Sequence, residues 1–213
     1  RTVDCGPAHI TDMGDTMTSH HSTRLFAPLV LALALPVLGG CAGAVVGAGA
    51  TVGVAAMEER TLGTVADDTT AATKIRLALL EAGQQYAVSV GTKVFEGRAL
   101  MTGAVADEKM RAEAVRIAWT VNGVKDVLNE IQVAPSGFVN TARDTWISTQ
   151  LVTKMTLDKD VQAINYGVET VNGVVYLIGI AQDQKELDRV VNYARDLTYV
   201  QKVISHVRLK GKA

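Results

Sequence analysis

Few side chains in this sequence are placed to do chemistry, and their spacing excludes most of it. The two cysteines, Cys5 and Cys41, are too few for a disulfide framework and form no CxxC pair for a metal or redox couple. Downstream of Cys41 there is one histidine, His206. That leaves no His/Cys cluster for zinc. No Cys/His or Ser/His/Asp set is suggested, and the GxSxG pattern is absent. His206 falls in the last β-rich run and reads as an edge or surface strand residue rather than a base. Asp67 and Asp68 form a carboxylate pair, but adjacent acids ahead of a helical pattern more simply cap the helix and favour its dipole. The stretch "GAVVGAGATVG" lacks the Lys-Ser/Thr ending of a phosphate loop. No catalytic residue, metal or cofactor is therefore expected.

What remains is Cys41, which closes an apolar run. From Met17 the chain reads "MTSHHSTRLFAPLVLALALPVLGGC". Arg24 supplies a positive start, and Leu25 to Leu38 is apolar but interrupted by Pro28 and Pro36. It is shorter than the roughly 20 residues that suit a membrane span. With Gly39 and Gly40 just before the cysteine, this is signal-peptide grammar. "LGGC" resembles a bacterial lipobox, although Gly39 is less common there than Ala or Ser. The resemblance implies lipidation of Cys41, cleavage before it, and, with Ala42 rather than Asp next, transfer to the periplasmic face of the outer membrane. Several acyl chains would anchor it stably. The competing reading is an ordinary signal peptide with a chance cysteine. Residues 1–40 are thus expected to be a signal peptide with an extension or misassigned start ahead of Met13 and Met17. Residues 41–66 are the lipidated cysteine and a tether: Ala42 to Ala56 is uncharged and Gly/Ala/Val-rich, suited to a flexible link, with lying along the bilayer as the alternative. A net charge of −1 over 213 residues argues against a nucleic-acid partner.

The rest of the chain duplicates itself. A shift of 76 residues carries Asp68 onto Asp144 and runs without a gap to Val133. Gly91, Gly97 and Gly103 fall on Gly167, Gly173 and Gly179; Asp107 falls on Asp183, and Ala118 on Ala194. Each copy shows the same order of signals. A helix comes first, with Asp68 or Thr69 as its expected cap and Ala71, Ile75 and Leu79 at helical spacing. A hairpin follows, with Glu96-Gly97 or Asn172-Gly173 as its two-residue turn. Then come a second helix after Asp107 or Asp183 and a closing strand, "VKDVLNEIQVA" or "VQKVISHVRLK". The expected fold class is α+β: two tandem α-β-β-α-β domains, 67–134 and 143–210, each a three-stranded sheet with two helices on one face. "APSGFVNTAR", Ala134 to Arg143, links them.

This unit, with its G…V…L.G.V hairpin and V-x-x-V last strand, resembles the BON domain. "RTLGTVADDT" (Arg60 to Thr69), "LNEI" (Leu128 to Ile131) and "DTWIST" (Asp144 to Thr149), together with the lipobox, resemble the two-domain lipoproteins of that family. The resemblance implies a non-enzymatic outer-membrane protein that supports envelope integrity at the division site. It also implies that the first helix of the second domain binds anionic phospholipid.

The copies differ on the outer face of that helix. On a wheel of about 100° per residue, Ile147, Leu151 and Met155 form the core stripe. Trp146, Gln150, Thr153 and Leu157 lie together on another face, where copy one carries Thr70, Lys74, Leu77 and Glu81. An outward Trp suits a membrane interface, and Lys154 and Lys159 would meet anionic headgroups. The wheel equally allows Trp146 to pack between the two domains. The resemblance favours the membrane, since Trp146 matches the family's tryptophan, while the neutral Gln150 and Val152 depart from a more basic family pattern. The phospholipid-contacting set is therefore Trp146, Gln150, Thr153, Lys154 and Leu157. The alternative function is a protein-interaction module docking on an envelope assembly machine or a cell-wall enzyme regulator.

Overall fold

The computed structural model describes residues 58–134 and 140–211. Cys41, the leader, the tether up to residue 57 and residues 135–139 of the linker lie outside these; of the residues assigned to the tether, 58–66 are described, and 62–66 form the start of the first helix.

The first copy opens with α1 (Leu62–Ala82) and a short α2 (Gln84–Ser89). The hairpin β1 (Val90–Phe95) and β2 (Arg98–Val105) follows, then α3 (Glu108–Thr120) and the split closing strand β3 (Asp126–Asn129) and β4 (Gln132–Val133). The second copy repeats the order as α4 (Thr141–Leu157), β5 (Tyr166–Val171), β6 (Val174–Ala181), α5 (Gln184–Arg195) and β7 (Lys202–Leu209). In each, the hairpin is antiparallel and the closing strand joins its second strand in parallel, so β2 and β6 are central. The parallel crossover is made by the second helix, capped by Asp107 or Asp183, whose side chains accept from Met110 N–H and Glu186 N–H at 2.8 Å. The expected single closing strand of copy one is interrupted at Glu130-Ile131, between β3 and β4.

The expected helix stripes are the cores. Ala71, Ile75 and Leu79 join Ala114, Ala118 and Val121 over one sheet. Ile147, Leu151 and Met155 join Val190, Ala194 and Leu197 over the other. The first helices start differently from expectation. Thr61, not Asp68 or Thr69, caps α1, its hydroxyl oxygen accepting from Thr64 N–H at 3.1 Å; Asn140 caps α4 in the same way.

Asp68 and Asp144 are instead buried, 4% and 3% exposed, and reach across to the hairpin. Glu96 N–H and Gly97 N–H donate to Asp68 Oδ2 and Oδ1 at 2.7 and 2.8 Å. Asn172 N–H and Gly173 N–H donate to Asp144 Oδ2 and Oδ1 at 2.7 and 2.9 Å. Both turns run at positive φ, 55° and 78° at Glu96-Gly97, 51° and 76° at Asn172-Gly173, as a two-residue hairpin turn requires. The carboxylate satisfies the two turn N–H groups that the hairpin leaves over. That is why the acid recurs at this distance from the turn.

Leu100 and Ala104 alternate along β2 with Ala99, Met101 and Val105. The latter face the helices. The former meet Phe95, Val171, Tyr176, Ile178 and Ile180 in a third core shared by both copies. The sheets therefore pack on one another, each strand of "ALMTGAV" and "VVYLIGIA" buried on both faces. Polar pairs rim this contact: Lys93 to Glu169 at 3.1 Å, His206 Nε2 to Glu130 at 2.8 Å, and Arg208 with Glu96. Asn172 Nδ2 donates to Gln132 Oε1 at 3.1 Å. Under the 76-residue shift Lys93 matches Glu169 and Glu130 matches His206, while Glu96–Arg208 exchanges with Asn172–Gln132. The contact is thus isologous in kind, built around a pseudo-two-fold axis. All buried residues described lie between Asp68 and Leu209, so a chain beginning at Glu58 carries all of the described core.

Candidate functional site: the outer face of α4

A seventeen-residue α4 with its apolar stripe buried must leave an outer face in water. Trp146 is on that face, 42% exposed, and Leu157 at its end is 81% exposed. Thr153 is exposed, but its hydroxyl donates back to Thr149 O at 2.8 Å, so it offers little hydrogen bonding outward. Gln150 is half-buried. Lys154 is exposed, with Nζ 5.9 Å from the Tyr193 ring and no carboxylate within ion-pair distance among the described residues. Lys159 is exposed in the following loop. The five expected residues therefore share one helix, with Trp146 in its second turn and Leu157 at its C-terminal end.

Trp146 takes no part in the core between the domains, which is made by the sheets. Its ring instead meets Tyr199 of its own domain edge-on, centroids 6.1 Å apart. Tyr199 is 60% exposed and was not found by sequence reasoning. The signal was available: under the repeat, Tyr199 stands where copy one has Gly123. Val152, 44% exposed, adds an apolar side chain on the same helix.

The first domain is not polar throughout. Leu77 and Leu80 of α1 are 53% and 52% exposed, and Val88 and Trp119 are exposed too. The expectation of a mostly polar outer face there holds at Thr70, Lys74 and Glu81 but not for the helix as a whole.

At the C-terminal end of α4, Asp158 accepts from Tyr193 OH at 2.7 Å and from Arg189 at 3.2 Å. These contacts, led by the Tyr193 hydroxyl, hold its carboxyl below the ordinary range. His206 lies on β7, an edge strand of its sheet, and bridges the domains through Glu130. Burial pushes the Tyr166 phenol far up, with the nearby Glu186 carboxylate adding to it. A cleft of about 370 Å³ between the domains is lined by Arg60, Lys93, Phe95 and Tyr166. Its Arg60 and Lys93 are already spent on Asp68 and Glu169. Among the described residues no group of three His, Cys, Asp or Glu side chains is arranged to hold a metal, and no helix is long and apolar enough to cross a membrane. The outer face of α4 thus presents Trp146, Val152 and Leu157 as exposed apolar groups with Lys154 as an exposed cation.

Comparison with known proteins agrees with this architecture. An uncharacterized protein in the gshII 5′ region of Anaplasma centrale is 40% identical over 146 residues, 68% of this chain and 95% of that one. The outer membrane lipoprotein DolP of Haemophilus influenzae is 34% identical over 169 residues, 78% of this chain and 87% of that one. The osmotically-inducible protein Y of Escherichia coli is 28% identical over 152 residues, 70% of this chain and 76% of that one. The BON domain family model matches twice, at residues 67–135 and 143–211. With two matches that together span more than half of the chain, each on an α-β-β-α-β unit, the chain resembles the outer membrane lipoprotein DolP and belongs to the BON domain family.

Proposed function

We propose that this is a non-enzymatic lipoprotein of the outer membrane, anchored through Cys41, that docks its second BON domain on anionic phospholipid through α4 and supports envelope integrity at the division site. The observation that carries the reading is Trp146: it stays 42% exposed while the sheets make the contact between domains. An indole in that setting suits the membrane–water boundary, ring in the apolar layer and N–H in the wet one. Lys154, without an ion pair among the described residues, adds attraction for an anionic leaflet, worth about 1 kcal/mol near the surface. The similarity to an outer membrane lipoprotein supports the location. The test is co-sedimentation of the segment from Glu58 onward with phosphatidylglycerol and phosphatidylcholine vesicles. Trp146→Glu is expected to abolish binding to the anionic vesicles; unchanged binding sinks this site.

A second reading rests on the first domain. Exposed Leu77, Leu80, Val88 and Trp119 would suit a protein partner such as an envelope assembly machine or a cell-wall enzyme regulator. A pull-down from detergent extract separates the two. Loss of every protein partner in Trp119→Ala, with lipid binding intact, favours protein docking on the first domain.

A further inference from the structure

Three positions of the second domain break the repeat together. Arg143, Trp146 and Tyr199 occupy the places that Asp67, Thr70 and Gly123 hold in the first. In the first domain these line an open polar depression with Lys74 and Asn122. In the second, the three side chains converge. The Tyr199 ring lies edge-on to Trp146, and the Arg143 guanidinium is 6.0 Å from the Tyr199 ring centre.

Two details set this apart from ordinary surface. Tyr199 adopts φ 72°, the left-handed region that favours glycine, at the position where Gly123 has φ 101°. The loops correspond: Lys125 N–H and Gln201 N–H each donate at 2.8 Å to the turn glycine carbonyl, of Gly97 and Gly173 respectively. The fold therefore accepts glycine here, and the second domain keeps a strained, 60% exposed tyrosine instead. The second detail is Arg143. No carboxylate neutralises it among the described residues, and its Nε is buried without a hydrogen-bond partner.

Building on the proposed lipid docking, we propose that Arg143, Trp146 and Tyr199 form the headgroup-reading element of the second domain. Its ligand is the anionic phosphate of a phospholipid at a membrane surface. Tyr199 and Trp146 seat in the interfacial layer, where amphipathic aromatic rings are at home. Arg143, held beside them, faces the phosphodiester, which guanidinium geometry matches with paired N–H donors. The changes from Asp67 to Arg143 and from Gly123 to Tyr199 convert an acid beside a gap into a cation beside an aromatic shelf.

The test uses the segment from Glu58 onward with phosphatidylglycerol and phosphatidylcholine vesicles. Tyr199→Gly restores the first domain's residue and removes backbone strain, so the protein is expected to fold; circular dichroism melting checks it. This variant should weaken partition to both vesicle types, by about tenfold on the anionic ones. Arg143→Gln should lose about fivefold on anionic vesicles only, and flatten the salt dependence. Tyr199→Phe should bind within about twofold of wild type. If Trp146→Glu loses binding while Tyr199→Gly and Arg143→Gln match wild type, the three-residue element is wrong and the Trp146 site stands. If Trp146→Glu also binds normally, or wild type binds neither vesicle, lipid docking itself falls.

Discussion

Replacing Asp144 by Ala should destabilise the protein without touching any surface. Its carboxylate receives Asn172 N–H at 2.7 Å and Gly173 N–H at 2.9 Å, and it is 3% exposed. A hydrogen bond to a charged group contributes about 1.5–3 kcal/mol, and the two turn N–H groups would be left with little access to water. The expected loss is therefore about 3–5 kcal/mol. For a chain of this size each kcal/mol moves Tm by about 2–4 °C, so Tm should fall by at least about 6 °C. Asp144→Asn keeps one acceptor but turns its amide N–H toward a backbone N–H, so it should lie between Ala and wild type. Asp68→Ala should cost at least as much, since it also removes the contact with Arg60 Nη1 at 3.0 Å and leaves that guanidinium to Glu58 and the Phe95 ring. The assay is thermal and urea unfolding of the segment from Glu58 onward, followed by circular dichroism. A loss under about 1 kcal/mol for Asp144→Ala, the scale of an ordinary surface substitution, would refute the claim that the carboxylate holds the hairpin.

Other consequences can be checked as directly. Gly179→Ala should prevent folding of the second domain, because a Cβ there would lie 2.0 Å from Asn165 O; intact far-ultraviolet dichroism and a normal melt would contradict it. Lys93→Glu should weaken the contact between domains and Glu169→Lys in the same chain should restore it. The coupling should be about 0.5–1 kcal/mol, as befits a half-exposed pair, and a double-mutant cycle of urea melts reads it. Tyr193→Phe should raise the Asp158 carboxyl toward its ordinary range, followed by side-chain NMR titration. Because the folded carboxyl is depressed, the stabilisation by this contact is present above the unfolded pKa and is lost as pH falls through the folded one. Wild type and Tyr193→Phe should therefore converge in stability under acid.

The repeat made the two domains, their hairpins and their core stripes legible, because helical spacing and Gly-containing turns are local signals. The role of Asp68 and Asp144 was not legible. An acid near a helix start looks like a cap, and only the folded hairpin shows that it serves turn N–H groups 28 and 29 residues away. The sheet-on-sheet contact had a signal that was not used. "ALMTGAV" and "VVYLIGIA" are apolar almost without alternation, as strands covered on both faces must be. Tyr199 was missed because it sits in a loop with no periodicity. It emerges only on comparison with Gly123 and from its left-handed backbone. The leader, Cys41 and the tether up to residue 57 are legible only as sequence patterns.

The chain carries two tryptophans, Trp119 in the first domain and Trp146 in the second, 52% and 42% exposed. Their fluorescence can report which domain meets lipid. Single-tryptophan proteins, Trp119→Phe and Trp146→Phe, would each be titrated with phosphatidylglycerol vesicles carrying brominated acyl chains. Docking through α4 predicts a blue shift and bromine quenching of Trp146 alone, weaker with phosphatidylcholine. Quenching of Trp119 with Trp146 unchanged, or no response from either, would contradict it.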